Sequence, residues 1–233
     1  MWRKLLIASV LVFGIVVPCV ASDRDDDVGR IEAATDVFNE IMSAPDKSIP
    51  ADLLKSSKCI AIIPGEKKVA FGIGGNYGKG LATCRTANGW SAPMFLAIGG
   101  GSVGFQIGGS STDIVALFMN DQALQKLVSD KFTIGADATA AAGPVGRQAA
   151  AGTDVKLNAE ILTYARSKGA FAGVSLDGAV VQADKSGDQA MYGTDVSRQE
   201  ILKGKVPVPE SAQPLVKSIA KYAGEAKPVP SGL

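Results

Sequence analysis

The chain contains no histidine. That removes Ser-His-Asp triads, Cys-His dyads and His-ligated zinc sites together. Cysteine is scarce, three in 233 residues, and Cys19 sits in the apolar N-terminal stretch. A thiolate-rich metal site is therefore excluded as well. Excess charge is also missing: 24 basic against 23 acidic residues give a formal charge of +1. A chain this balanced is no general polyanion binder, and nucleic acid is not an expected partner. Any attraction to phosphate must come from local patches. Carboxylate pairs or a Ser-Lys dyad remain as enzyme routes, but no spacing advertises either. Neither catalysis nor a cofactor is expected.

One apolar run is present, Leu5 to Val17. It is too short to cross a bilayer, which takes about 20 residues. Arg3 and Lys4 precede it, Pro18 breaks it, and Cys19-Val20-Ala21 supplies the small residues a signal peptidase reads. Residues 1–21 are expected to be a signal peptide, with cleavage after Ala21 or Ser22. The protein is then exported, periplasmic or associated with an outer membrane. Lipidation of Cys19 is the competing reading, and Pro18 is the wrong neighbour for that processing. Losing Arg3 and Lys4 takes the formal charge from +1 to −1.

What the chain does have is glycine, patterned. The sequence V-x-F-x-I-G-G occurs at Val69–Gly75 and again at Val103–Gly109, 34 residues later. Apolar residues at alternate positions mark an extended strand. Thirteen of the 27 glycines lie between Gly65 and Gly109, among apolar rather than polar residues. This predicts a folded β region, not a linker. Strands are expected at 59–63, 69–73, 81–85, 94–98, 103–107 and 114–119, with turns at Pro64-Gly65, Asn76–Gly80, Asn88-Gly89 and Gly99–Gly101. Phe71 and Phe105 occupy equivalent positions and are expected in the core. Cys59 and Cys84 leave two readings open: buried thiols on different strands, or a disulfide in an oxidising compartment.

Helices frame this region. Val28 to Ser43 carries an apolar stripe at helical spacing, and Pro50 opens a short helix through Leu54. Asn120 caps a helix from Asp121 to about Ser129. Further strands are expected at 132–134, 161–165, 171–176 and 179–183. Ser197 and Glu200 form a capping box, and Leu215 to Tyr222 is a last amphipathic helix. No linker divides residues 22–233. The fold class is α+β: one domain with a Gly-rich, mostly antiparallel sheet or barrel-like core and flanking helices.

Nucleotide motifs fail on inspection. Gly99, Gly101 and Gly104 fit G-x-G-x-x-G, but a strand follows, so no helix N-terminus is there to receive phosphate. Gly78-Lys79 lacks the P-loop's upstream glycine and its hydroxyl. The basic residues with a plausible role sit at turns: Lys67, Lys68, Lys79, Arg147, Arg166 and Lys168. Facing one way, each would add about 1 kcal/mol at an anionic membrane. Firm binding also needs apolar insertion, for which the Val28–Met42 stripe, Trp90 and Phe95 are candidates.

Six ordered motifs complete the reading: K-C-I-A-I-I-P-G (58–65), G-G-N-Y-G-K-G (74–80), G-W-S-A-P-M-F (89–95), V-G-F-Q-I-G-G (103–109), G-A-D-A-T-A-A-A-G-P-V-G-R (135–147) and Y-A-R-S-K-G-A-F-A-G-V-S-L (164–176). Together they resemble the SYLF domain, from about Ala33 to Lys203. The resemblance implies phospholipid binding, with phosphoinositide in eukaryotic members and actin binding in the yeast branch. It implies no catalytic residues. With an export signal and no adaptor domain, the expected partner here is anionic bacterial phospholipid, or a second envelope protein.

Overall fold

The computed structural model describes residues 20–44, 48–145, 159–167 and 170–224; over 20–22, 68–74 and 101–109 it describes the backbone alone. Two strands dominate: β1 is Cys59–Thr86 and β3 is Met94–Phe118, joined through the short β2, Gly89–Trp90. They pair antiparallel from Cys59↔Phe118 to Ala82↔Met94. The six short strands expected between 59 and 119 are thus two long ones. Of the expected turns, Asn88-Gly89 is the one that lies between strands.

The other glycine clusters bend strands without ending them. The register shifts between Ile63 and Glu66 and again between Phe71 and Ile73. At the first shift Gly65 takes φ +57°, a conformation that favours glycine, and its N–H donates to Asp113 Oδ1 at 2.9 Å. A bulge and a turn call for the same residue types, so the sequence could not separate them. Laid straight, 28 residues of strand would span about 90 Å. Yet the Cα atoms of Cys59 and Cys84 are 4.0 Å apart, and Arg85 N–H donates to Lys58 O at 2.8 Å. Strand β1 therefore doubles back and lies beside itself. Gly80 makes that approach possible, since a Cβ there would sit 2.3 Å from Ile62 O.

Cys59 and Cys84 are both buried and form a disulfide. Of the two readings left open, this is the one the structure shows, and both thiols belong to one strand. The ring positions of Phe71 and Phe105 lie outside the described residues.

The remaining strands extend the sheet. In order they are β4 (Lys131–Thr133), β5 (Ala140–Ala142), β6 (Ile161–Ser167), β7 (Ala170–Gly173) and β8 (Val180–Ala183). β6 joins the C-terminal part of β3, β8 joins its N-terminal part, and β4 lies outside β8. β5 on β6 is the one parallel strand pair among the described residues. The architecture is the expected single-domain α+β fold, a curled mixed sheet flanked by helices.

Strand alternation divides the core in two. Ile60, Ile62, Val115 and Leu117 face one layer; Cys59, Ala61, Ile63, Ile114, Ala116 and Phe118 face the other. This is why 114–119 is apolar at every position: both faces are covered. Over the first face lie α1 (Val20–Ser43), α2 (Ala51–Ser56) and α6 (Gln213–Ala223), with Ile31, Phe38, Leu54 and Leu215 buried. Over the second lie α3 (Asp121–Val128) and α5 (Arg198–Leu202). Asn120 caps α3 by accepting from Ala123 N–H, and the Ser197–Glu200 capping box opens α5.

One helix escaped the sequence reading. α4, Lys185–Tyr192, starts with Lys-Ser-Gly-Asp, a poor helix-forming run. Asp184 caps it from outside, and Gly187 packs so tightly that a Cβ would come within 3.1 Å of Phe95. Tertiary contact overrides propensity there.

Candidate functional site

Of the six basic residues, the side chains of Lys67, Lys79 and Arg166 are described, and Lys79 and Arg166 pair with carboxylates. Lys67 is exposed on β1 opposite Ser111, and Lys68 follows opposite Ser110, with its side chain outside the described atoms. Arg147 and Lys168 lie outside the described residues. Arg166 is two strands from Lys67: Ser111 pairs with Lys67 in register, while Ser167 Oγ donates to the Ser111 carbonyl at 3.4 Å. Its guanidinium is engaged internally. Arg166 donates to Asp113 Oδ2 at 2.9 Å from Nη2 and 3.1 Å from Nε, and also pairs with Glu40. These partners, with Asp36 and Pro64, line a cleft of about 470 Å³ between α1 and the sheet. Three carboxylates against one guanidinium make it an acidic cleft, unsuited to an anion.

Lys79 stands where β1 leaves the core. Leu81, two residues on, is fully buried; Lys79 is half-exposed; Tyr77, two residues back, is 52% exposed. Residues two apart share a strand face, so this face emerges from beneath α1 in three steps. Tyr77 is the one strongly exposed large apolar side chain among the described residues. The insertion candidates named from sequence are not available: Trp90 and Phe95 are buried, as is most of the α1 stripe.

Lys79 also reaches inward to a buried charge network that sequence reasoning missed. Its Nζ lies 3.2 Å from Asp184 Oδ2, which Arg30 Nη1 meets at 3.0 Å. Ser186 Oγ donates to Asp184 Oδ1 at 2.7 Å, and Gly187 N–H at 3.3 Å. Burial works against ionisation, but these donors prevail and hold the Asp184 carboxyl down to about 2. Arg30 also pairs with the buried Asp27 at 2.9 Å, whose carboxyl burial pushes up.

One turn along α4, Asp188 is buried and less well served. Its Oδ1 accepts Phe95 N–H at 2.7 Å, while Oδ2 has no hydrogen bond among the described residues and stands 3.6 Å from Arg198 Nε. Burial raises this carboxyl to about 7; the Phe95 N–H and Arg198 only partly oppose it. The cap spacing Asp184-x-x-Gly187 was a readable signal for α4. Nothing local marked Arg30 or Arg198 as its partners, because they come from 154 residues upstream and from a separate helix.

A family model described as "Ysc84: Las17-binding protein actin regulator" matches residues 99–222, more than half of the chain. The chain belongs to the Ysc84 (SYLF) family. Among its relatives, the human SH3 domain-containing YSC84-like protein 1 is 33% identical over 189 residues, 79% of this chain and 55% of that one. Protein YSC84 of Saccharomyces cerevisiae is 32% identical over 189 residues, covering 79% of this chain and 40% of the relative. LAS seventeen-binding protein 3 of Saccharomyces cerevisiae is 33% identical over 199 residues, 83% of this chain and 43% of its own length. This SYLF chain thus spans about half the length of these relatives. One of the three is named as a binding protein. No helix among the described residues is long and apolar enough to cross a membrane.

Proposed function

We propose that this protein is a non-enzymatic phospholipid-binding module, exported to a bacterial envelope, where it acts at the membrane surface in the periplasm or on the outer membrane. The observation that carries the reading is the exposure of Lys67, Tyr77 and Lys79 on β1. Lys67 is exposed on the doubled strand, Lys68 follows it, and Tyr77 stands out of the sheet beside Lys79. An aromatic with a polar tip next to ammonium groups suits a lipid–water interface. The buried disulfide supports an oxidising compartment, consistent with export. Lys79 pairs with Asp184 from a half-exposed position, and Arg30, Ser186 and Gly187 hold the same carboxyl. To meet a phosphate it would exchange that partner, leaving Asp184 to the other three donors.

Reversing Lys67, Lys68 and Lys79 to Glu is expected to cut co-sedimentation with anionic vesicles at least fivefold. Circular dichroism checks the fold: Lys67→Glu, at an exposed position, should leave it intact, whereas Lys79→Glu sets a carboxylate against the buried Asp184 and should lower stability. Binding that survives the triple reversal and high salt would refute the electrostatic part of this reading.

One observation favours a second reading, a surface for another envelope protein. Arg166 is committed to carboxylates, and one relative is named LAS seventeen-binding protein 3. Failure to bind any vesicle would favour this alternative.

A further inference from the structure

A second cleft, about 310 Å³, opens between the end of α3, the side of α4 and the start of α5. It is at the small end of ligand-pocket sizes, which begin near ~300 Å³. Asp188 and Arg198 lie at its base, their side chains 6% and 12% exposed. Asp130 and Lys185 sit on its rim, paired at 2.8 Å and mostly exposed. Two positive and two negative groups leave the cleft neutral overall.

Its base is incompletely satisfied. Asp188 Oδ2 is buried without a hydrogen-bond donor among the described residues. The 3.6 Å to Arg198 Nε exceeds hydrogen-bond length. A buried carboxylate oxygen left so is costly, and the cost is relieved by any ligand bringing an N–H. Arg198 spends Nη1 on Ser129 O at 2.6 Å and turns Nε to Met94 Sδ at 3.2 Å. Its Nη2 has no hydrogen bond among the described residues and remains for an anionic oxygen. An acceptor and a donor, side by side and oppositely charged, ask for a ligand of the reverse arrangement.

We propose that this cleft binds a small zwitterion with a primary ammonium a few bonds from an anionic group, the ammonium meeting Asp188 and the anion Arg198. The phosphodiester of ethanolamine is the type compound, free or as a lipid headgroup. This inference stands on α3, α4 and α5 and does not depend on the exposed side chains of β1. Either can fail alone.

Proton linkage supplies a second readout. The groups facing Asp188 are Arg198 on α5, the Phe95 N–H on β3, Asp184 on α4 and Asp27 on α1. Burial, with the two nearby carboxylates adding to it, raises Asp188 to about 7. An ammonium needs the ionised form, so affinity at pH 6 should be roughly tenfold below that at pH 8.

The test is calorimetric titration of the full chain with sn-glycero-3-phosphoethanolamine, a phosphodiester that does not titrate over that range. Glycerophosphocholine is the control, because its quaternary ammonium has no N–H for Oδ2. Saturable binding of the ethanolamine compound, about tenfold tighter at pH 8, with at least tenfold loss for choline and for Asp188→Asn, is expected. Vesicles of phosphatidylethanolamine added to the protein distinguish the sources: competition with the soluble diester points to the lipid headgroup, its absence to the free compound. Should Asp188→Asn fold poorly, the pH and choline arms on the unaltered protein decide. Equal binding of choline, pH-independent binding, or no binding of the soluble diester would overturn the proposal. So would an Asp188→Asn variant changed in stability and not in binding.

Discussion

Arg85 ties three elements together. Its guanidinium donates to Leu54 O and Ser57 O at the end of α2, each at 2.9 Å, and to Ala223 O and Gly224 O at the end of α6, at 2.6 and 3.2 Å. It also stacks over the Trp90 ring, 4.5 Å from its centroid. A cation is well placed there, since helix C-termini leave carbonyls unpaired and carry partial negative charge. Arg85→Met keeps the length and loses every donor. It is expected to cost about 3 kcal/mol or more, because charged hydrogen bonds are lost and carbonyls are stranded. Urea denaturation checks this; an unchanged midpoint would contradict it. Arg85 was legible in sequence only as the last residue of a strand. Its partners come from 31 and 138 residues away, and no local pattern encodes them.

At the scale of elements, local chemistry was legible and its context was not. The Asn120 cap and the Ser197–Glu200 box depend on residues three apart, so both could be read directly. The doubled strand β1 could not. Pro64-Gly65 and the glycines at 99–101 fit a turn as well as they fit a bulge or a close crossing. The continued pairing of β1 with β3, and the Cys59–Cys84 approach within β1, distinguish them. That disulfide closes a loop of 25 residues, so removing it should free the unfolded chain by about 3 kcal/mol. The double variant Cys59→Ser, Cys84→Ser is therefore expected to melt lower than the oxidised protein. Both sulfurs are buried, so the native fold should resist mild reductant until it opens. A melting temperature unmoved by the double substitution would show that packing alone closes β1.

The candidate site was half legible at the same scale. The sequence marked Lys67 and Lys79 as residues of interest, and the structure keeps them on one strand. Trp90 and Phe95, named from sequence as insertion candidates, are buried and Tyr77 is exposed, because an apolar residue beside a glycine turn looks the same whether it points in or out. The buried network of Asp27, Arg30, Asp184 and Asp188 joins α1 to α4. Those helices are far apart in sequence, and only the fold brings their charges together.

For the whole molecule, the buried carboxyls set the response to pH. Asp188 has a folded pKa near 7, above its ordinary 3.8. A raised carboxyl favours the folded state fully below the ordinary value, and that favour is lost as pH rises through about 7. Asp184, held near 2, acts in the opposite sense: its contribution is present above 3.8 and lost as pH falls toward 2. Stability should therefore decline from pH 5 to pH 8, with an Asp188 share of about 3 kcal/mol. Asp188→Asn removes that titration and keeps an acceptor for Phe95 N–H. Thermal melts at pH 5 and pH 8 should show a smaller difference for the variant. An equal difference would mean that Asp188 does not titrate in this range.

The same whole-molecule view bears on the membrane. With nearly balanced charge, the protein has no long-range pull toward an anionic surface, so attraction must be local and readily screened. The most direct measurement is co-sedimentation of the protein lacking residues 1–21 with neutral phosphatidylcholine vesicles and with vesicles containing phosphatidylglycerol, at low salt and at 1 M. Binding to the anionic vesicles at low salt is expected, with little to the neutral ones and loss at 1 M, where screening acts within about 3 Å. Equal binding to both vesicles, or to neither, would contradict it.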